Sequence, residues 1–98
     1  MLEKEVLENG RVRVTFHLPD HIWADCIALV GEFNDWDARS HLLHQTHIDH
    51  SWHTSVDLDA GRSYCFRYLV DGMEWMDDNH ADGYQPNPFG GFDSVVKT

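Results

Sequence analysis

The sequence predicts an all-β domain, a sandwich of six or seven short antiparallel strands. Three observations predict it. Apolar and polar residues alternate over several short runs, which is the period of a half-buried strand. Turn signals such as Asn9-Gly10, Pro19-Asp20, Asp59-Ala60-Gly61 and Asp71-Gly72 separate those runs. No segment sustains the period of an amphipathic helix. Short strands at regular spacing, with turns between, are the pattern of an immunoglobulin-like sandwich.

The elements follow in order. After Asn9-Gly10, Val12, Val14, Phe16 and Leu18 share one face of a strand, with Arg11, Arg13, Thr15 and His17 on the other. Pro19-Asp20 ends it. Cys26-Ile27-Ala28-Leu29-Val30 is a continuous apolar run, as expected of a strand covered on both faces. Asn34-Asp35 breaks that run. A short strand is expected near Leu42 to Thr46, with a hairpin turn at Asp49-His50-Ser51. Trp52, Thr54, Val56 and Leu58 then alternate with His53, Ser55 and Asp57. Tyr64, Phe66, Tyr68 and Val70 alternate with Cys65, Arg67 and Leu69, and Asp71-Gly72 is a strong hairpin dipeptide. Residues 77–92 are rich in Asp, Asn, Gly and Pro and read as loop. Ser94 to Lys97 forms a closing strand.

Size and charge narrow the function. Ninety-eight residues suit one domain spanning 1–98, too short for a catalytic barrel. The formal net charge is -10, from 17 acidic and 7 basic residues. That balance argues against nucleic acid and anionic membranes as partners, since both call for a basic patch. No apolar run is long enough to span a bilayer. Met1-Leu2-Glu3-Lys4-Glu5 is charged, unlike a secretion signal, so a cytoplasmic location is expected. Cys26 and Cys65 both sit in apolar runs and read as two buried thiols, with a disulfide as the alternative.

Two turns carry the chemistry. Gly31-Glu32-Phe33-Asn34-Asp35-Trp36 and Asp71-Gly72-Met73-Glu74-Trp75 each follow an apolar run and place a tryptophan just past polar residues. An indole there can cover the C–H face of a sugar ring. The alternative places one or both indoles in the core. Trp23 and Trp52 read as core.

With these residues in view, the chain resembles the glycogen-binding, isoamylase early-set family, carbohydrate-binding module family 48. The matching pieces are Val30-Gly31-Glu32-Phe33-Asn34-Asp35-Trp36, Leu58-Asp59-Ala60-Gly61-Arg62-Ser63-Tyr64, Phe66-Arg67-Tyr68-Leu69-Val70-Asp71-Gly72, Trp75, and the tail from Ala81 to Val96. The resemblance implies an early-set immunoglobulin-like sandwich that binds α-linked glucan. It implies Trp36 and Trp75 as the two platforms. Arg67 stands for the basic strand residue, Phe89 for the bulky residue of the last loop, and Asp93 for a polar amide. Two departures stand out: two residues separate Asp71-Gly72 from Trp75, and Gly91 stands where binders carry a hydroxyl. The family also includes members whose sugar site is degraded and whose domain packs against a catalytic partner. A glucan-metabolising enzyme, such as a branching or debranching enzyme, is therefore the alternative partner.

The remaining polar residues have competing readings. Arg67 can donate to sugar hydroxyls or pair with a surface carboxylate. Asp93 and Asn34 can bond hydroxyls or their own turn backbone. His41, His44, His47, His50 and His53 recur every third residue, which on a strand sends alternate rings to opposite faces; no metal site is expected. Glycoside hydrolysis needs two carboxyls across a cleft, whereas Asp77, Asp78 and Asp82 fall in one open loop. There is no nucleophile elbow or phosphate loop. No catalytic residue and no cofactor are expected.

Overall fold

The computed structural model of the chain describes residues 2–20 and 22–98. Among them are nine strands: β1 (Leu2–Val6), β2 (Val12–Leu18), β3 (Ile27–Gly31), β4 (His44–Gln45), β5 (Trp52–Leu58), β6 (Ser63–Val70), β7 (Glu74–Met76), β8 (Gly83–Pro86) and β9 (Phe92–Lys97). A short 3-10 helix, Glu32–Asn34, follows β3. One sheet runs β1-β2-β5-β4 and the other β3-β6-β9-β8, with β7 also paired to β6. Every pairing is antiparallel. The sheets stack as an immunoglobulin-like sandwich, so the all-β expectation holds. Among the described residues no helix is long and apolar enough to cross a membrane.

Alternation explains the core. Val12, Val14, Phe16 and Leu18 of β2 and Trp52, Val56 and Leu58 of β5 point inward, where they meet Ile27, Leu29, Phe66, Tyr68 and Val96 of the other sheet. Phe66 packs edge-on to Phe16, with ring centroids 5.0 Å apart. Every residue of β3 is buried, as its continuous apolar run demands. Lys4 of β1 and Asp82, just before β8, join the two sheet edges through a 2.6 Å ion pair.

Several expectations need correction. β1 was not foreseen, because its charged residues lie exposed on an edge and no alternating core face marks it. The stretch 77–92 is not all loop. It contains β8, whose Pro86 is tolerated because the strand is an edge and Pro removes only an outward N–H. The strand near Leu42 shrinks to His44–Gln45 plus a bridge from Leu42 to Ala28. Cys26 precedes β3 and is exposed, whereas Cys65 is buried; both are free thiols. Trp52 is core as expected, but Trp23 is 94% exposed.

Candidate functional site

Trp36 is placed by a tight turn at the end of β3. A Cβ on Gly31 would stand 2.7 Å from the Cys65 carbonyl oxygen and 2.9 Å from Phe66 Cβ, so only glycine lets β3 lie this close to β6. The Asn34 side chain then closes the turn. Its Oδ1 accepts the Gly31 N–H at 3.1 Å, and its Nδ2 donates to the Leu29 carbonyl at 3.0 Å. Asp35 and Trp36 follow with φ of 55° and 59°, the left-handed region that a bulky residue enters at a cost. The Trp36 N–H donates back to the Gly31 carbonyl at 2.9 Å. This backbone leaves the indole 42% exposed.

Trp75 is placed by the β6–β7 hairpin. Asp71 and Gly72 both have positive φ, 53° and 69°, and the Met73 N–H donates to the Val70 carbonyl at 3.0 Å. That is the turn whose twist matches paired strands. It sets Trp75 opposite Leu69, on the outer face of the sheet, where the indole is 49% exposed. Arg67 shares that face, since its neighbours Phe66 and Tyr68 point into the core. Its guanidinium carbon lies 5.6 Å from the Trp75 ring centroid, and its Nε donates to Asp77 Oδ1 at 3.0 Å.

The third wall is the turn between β8 and β9. Asn87 organises it: its Oδ1 accepts the N–H groups of Phe89 and Gly91, at 3.0 and 3.1 Å. Its Nδ2 donates to Asp93 Oδ1 at 3.2 Å. Phe89, at the tip, is 95% exposed. Trp36, Arg67, Trp75, Asn87, Phe89 and Asp93 together line one concave site of about 610 Å³.

Beneath this site lies a buried polar network. Tyr68 donates its hydroxyl to Asp78 Oδ2 at 2.9 Å, and the Asp78 N–H donates to Ser94 Oγ at 2.9 Å. The Tyr84 hydroxyl donates to the Asp78 carbonyl. Burial and the adjacent Asp78 carboxylate push the Tyr68 phenol well above its usual range. The network ties β6, β8 and β9 behind the aromatic platforms.

Five residues singled out in the sequence thus come together: Trp36, Trp75, Arg67, Phe89 and Asp93. Asn34 is not among the lining residues, and its amide is occupied in the Trp36 turn. Asn87 was missed; its signal was the Asn87-Pro88 pair inside a stretch read only as loop. Asp77, Asp78 and Asp82 have separate partners in Arg67, Tyr68 and Lys4. The histidines give a different surprise. Strand register sets His17 opposite His53 and His53 opposite His44, on the sheet that carries none of these lining residues. Among the described residues no group of three or more potential donors is placed to hold a metal ion.

The family model for carbohydrate-binding module 48 (isoamylase N-terminal domain) matches residues 4–85. The match covers most of the chain, and the chain belongs to this family of carbohydrate-binding modules. Phe89 and Asp93 lie past the matched span. A search of curated proteins returns no match.

Proposed function

We propose that this carbohydrate-binding module 48 protein is a non-catalytic receptor for α-1,4-linked glucan, glycogen or starch-like, at the site between Trp36 and Trp75. The observation that carries this reading is the placement of two half-exposed indoles on one concave surface, with Arg67, Asn87 and Asp93 around them. Each indole can cover the C–H face of one glucose ring and offer its negative face to the weakly positive C–H edge. Burying about 100 Å² this way contributes about 2–3 kcal/mol before ordering costs. Arg67 and Asn87 supply N–H donors for ring hydroxyls, and Asp93 supplies acceptors. Phe89 extends the apolar surface at the open end. A site this shallow gives affinity on the order of 10–1,000 μM.

The test is a maltoheptaose titration followed by tryptophan fluorescence, repeated with Trp36→Ala and Trp75→Ala. Saturable quenching that both substitutions abolish supports the reading. Retardation on a native gel containing glycogen provides an independent check. Released reducing sugar over hours would point to hydrolysis instead.

One feature favours a second reading. Arg67 already pairs with Asp77, and Asp93 with Asn87, so three polar groups of the site are held by the protein itself. That suits a domain with a degraded sugar site that packs against a glucan-metabolising enzyme. No response at millimolar maltoheptaose favours this role.

A further inference from the structure

A second concave site, of about 460 Å³, shares no lining residue with the first. Asp20, Ile22, Trp23, Ala24, Gln45 and His50 line it. An indole is among the largest apolar surfaces a chain can bury, yet Trp23 is 94% exposed. Its loop is not a loose end. On one side the buried Trp52 donates its Nε1–H to the Ile22 carbonyl at 3.4 Å. On the other, the Asp25 and Cys26 N–H groups donate to Asp71 Oδ1 at 2.8 and 2.9 Å. The indole is therefore presented from a segment anchored on both sides.

The surroundings select a ligand class. Gln45 donates its side-chain N–H to the His50 carbonyl at 3.0 Å, which fixes its amide plane. A planar amide, a carboxylate and an imidazole around an indole suit hydroxyl groups on a ring with one apolar face. Among the described residues neither lysine nor arginine lines the site, and the chain carries a net charge of -10, so an anionic ligand is disfavoured. The site is also joined to the first one. Asp71, which anchors the Trp23 loop, stands in the turn that presents Trp75, and its N–H donates to the Cys26 carbonyl at 2.7 Å.

We infer that the Trp23 site is a second subsite for the same neutral polysaccharide, so that one polymer engages two indole surfaces carried by hydrogen-bonded elements. This rests on the reading of Trp36 and Trp75 as glucan platforms. Once a long chain is held at the first site, its contact with the second is intramolecular, and the polymer binds more tightly than a short oligosaccharide.

Each of the four tryptophans carries one indole N–H, so a ¹⁵N-labelled sample allows a site-specific test. Maltoheptaose and then glycogen are titrated into the protein, into Trp23→Ala, and into the Trp36→Ala, Trp75→Ala double variant. The Trp23 signal is expected to move with its own saturation curve and to move still in the double variant, where a cooperative urea transition reports an intact core. Trp23→Ala is expected to weaken glycogen binding about tenfold and to leave maltoheptaose affinity at Trp36 unchanged. A Trp23 signal that stays still while Trp36 and Trp75 move overturns the second subsite and spares the first. A Trp23 response lost in the double variant is a relay through Asp71 and also overturns it. Silence at Trp36 and Trp75 in the intact protein removes the first reading instead, and the second with it.

Discussion

The Arg67 guanidinium lies over the Trp75 ring, 5.6 Å from its centroid, while its Nε holds Asp77 at 3.0 Å. Arginine thus links the indole of β7 to the carboxylate that follows it. The cation lies against the indole inside the site, and the carboxylate fixes the cation. Arg67→Met keeps the length of the stem but loses the charge and the fork. It is expected to weaken maltoheptaose binding about threefold to tenfold, on the scale of a cation–π contact of about 1 kcal/mol. Isothermal titration against the unmodified protein measures it, and an unchanged affinity would remove Arg67 from the site.

Trp36 offers a test that separates backbone from side chain. Its φ of 59° is one that L-residues enter at about 1–2 kcal/mol and glycine enters freely. Trp36→Gly and Trp36→Ala both delete the indole and are both expected to abolish glucan-induced quenching. They differ in the turn. The glycine variant is expected to be the more stable, by about 0.5–1 kcal/mol in urea denaturation, the reverse of the usual alanine advantage. Alanine stability equal to or above that of glycine would mean that the turn relaxes once the indole is gone.

Gly31 fails for a different reason. Its backbone is extended, so conformation is no obstacle, but a Cβ would press on the Cys65 carbonyl oxygen and Phe66. Backbone in a sheet cannot step aside cheaply. Gly31→Ala is expected to destabilise the fold by about 2–3 kcal/mol, read as a lower urea midpoint at unchanged slope. The Gly31 carbonyl also accepts the Trp36 N–H, so glucan affinity is expected to fall with it.

The two thiols are expected to react unequally. Burial, then the Glu32 carboxylate that accepts the Cys65 N–H at 2.6 Å, then Asp93, push the Cys65 thiol up to about 11. At pH 8 about one Cys65 in a thousand is thiolate, the reactive form. Cys26 is exposed. Iodoacetamide at pH 8, followed by mass spectrometry, is expected to label Cys26 quickly and Cys65 only after unfolding. Equal rates in the folded protein would contradict the placement of Cys65.

Much of this was legible in the sequence, for identifiable reasons. β2, β5 and β6 announce themselves because each buries one face and wets the other. Trp36 and Trp75 announce themselves because polar turns precede them. Edge strands carry no such signature: β1 and β8 are mostly exposed, and only pairing defines them. Trp23 looked like core because an indole beside an apolar run usually is. Its segment is held by Asp71, a partner distant in sequence that accepts the Asp25 and Cys26 N–H groups. Asn87 bonds Phe89, Gly91 and Asp93 close by in sequence and was passed over because its stretch read as loop. Asp78 acts through three-dimensional neighbours, as does the row of His17, His53 and His44, which exists only by register. Local pattern reports which face is buried, and long-range pairing decides what shares a site.

The ion pair between Lys4 and Asp82 predicts how the fold responds to acid. Burial raises the affinity of the Asp82 carboxyl for its proton. The hydrogen bond from Lys4, the Lys97 N–H at 2.8 Å and the two lysine charges outweigh that and hold it below the usual carboxylate value of 3.8. A carboxyl more acidic folded than unfolded contributes its full stability above the unfolded value, near pH 4, and loses it as pH falls through the folded value. The loss therefore lies below about pH 4. Asp57, held down by Arg13, and Asp49, held down by the Thr46 and Ser51 hydroxyls, lose their contributions in the same direction. Because the pair is only partly shielded from water, its contribution is on the order of 1 kcal/mol. Asp82→Asn cannot ionise, so it is expected to be less stable than the unmodified protein at pH 7 and to converge with it near pH 2. Urea midpoints at pH 7, 4 and 2.5 measure the gap. A gap that stays constant across that range would show that the carboxylate charge does not hold the two sheet edges together.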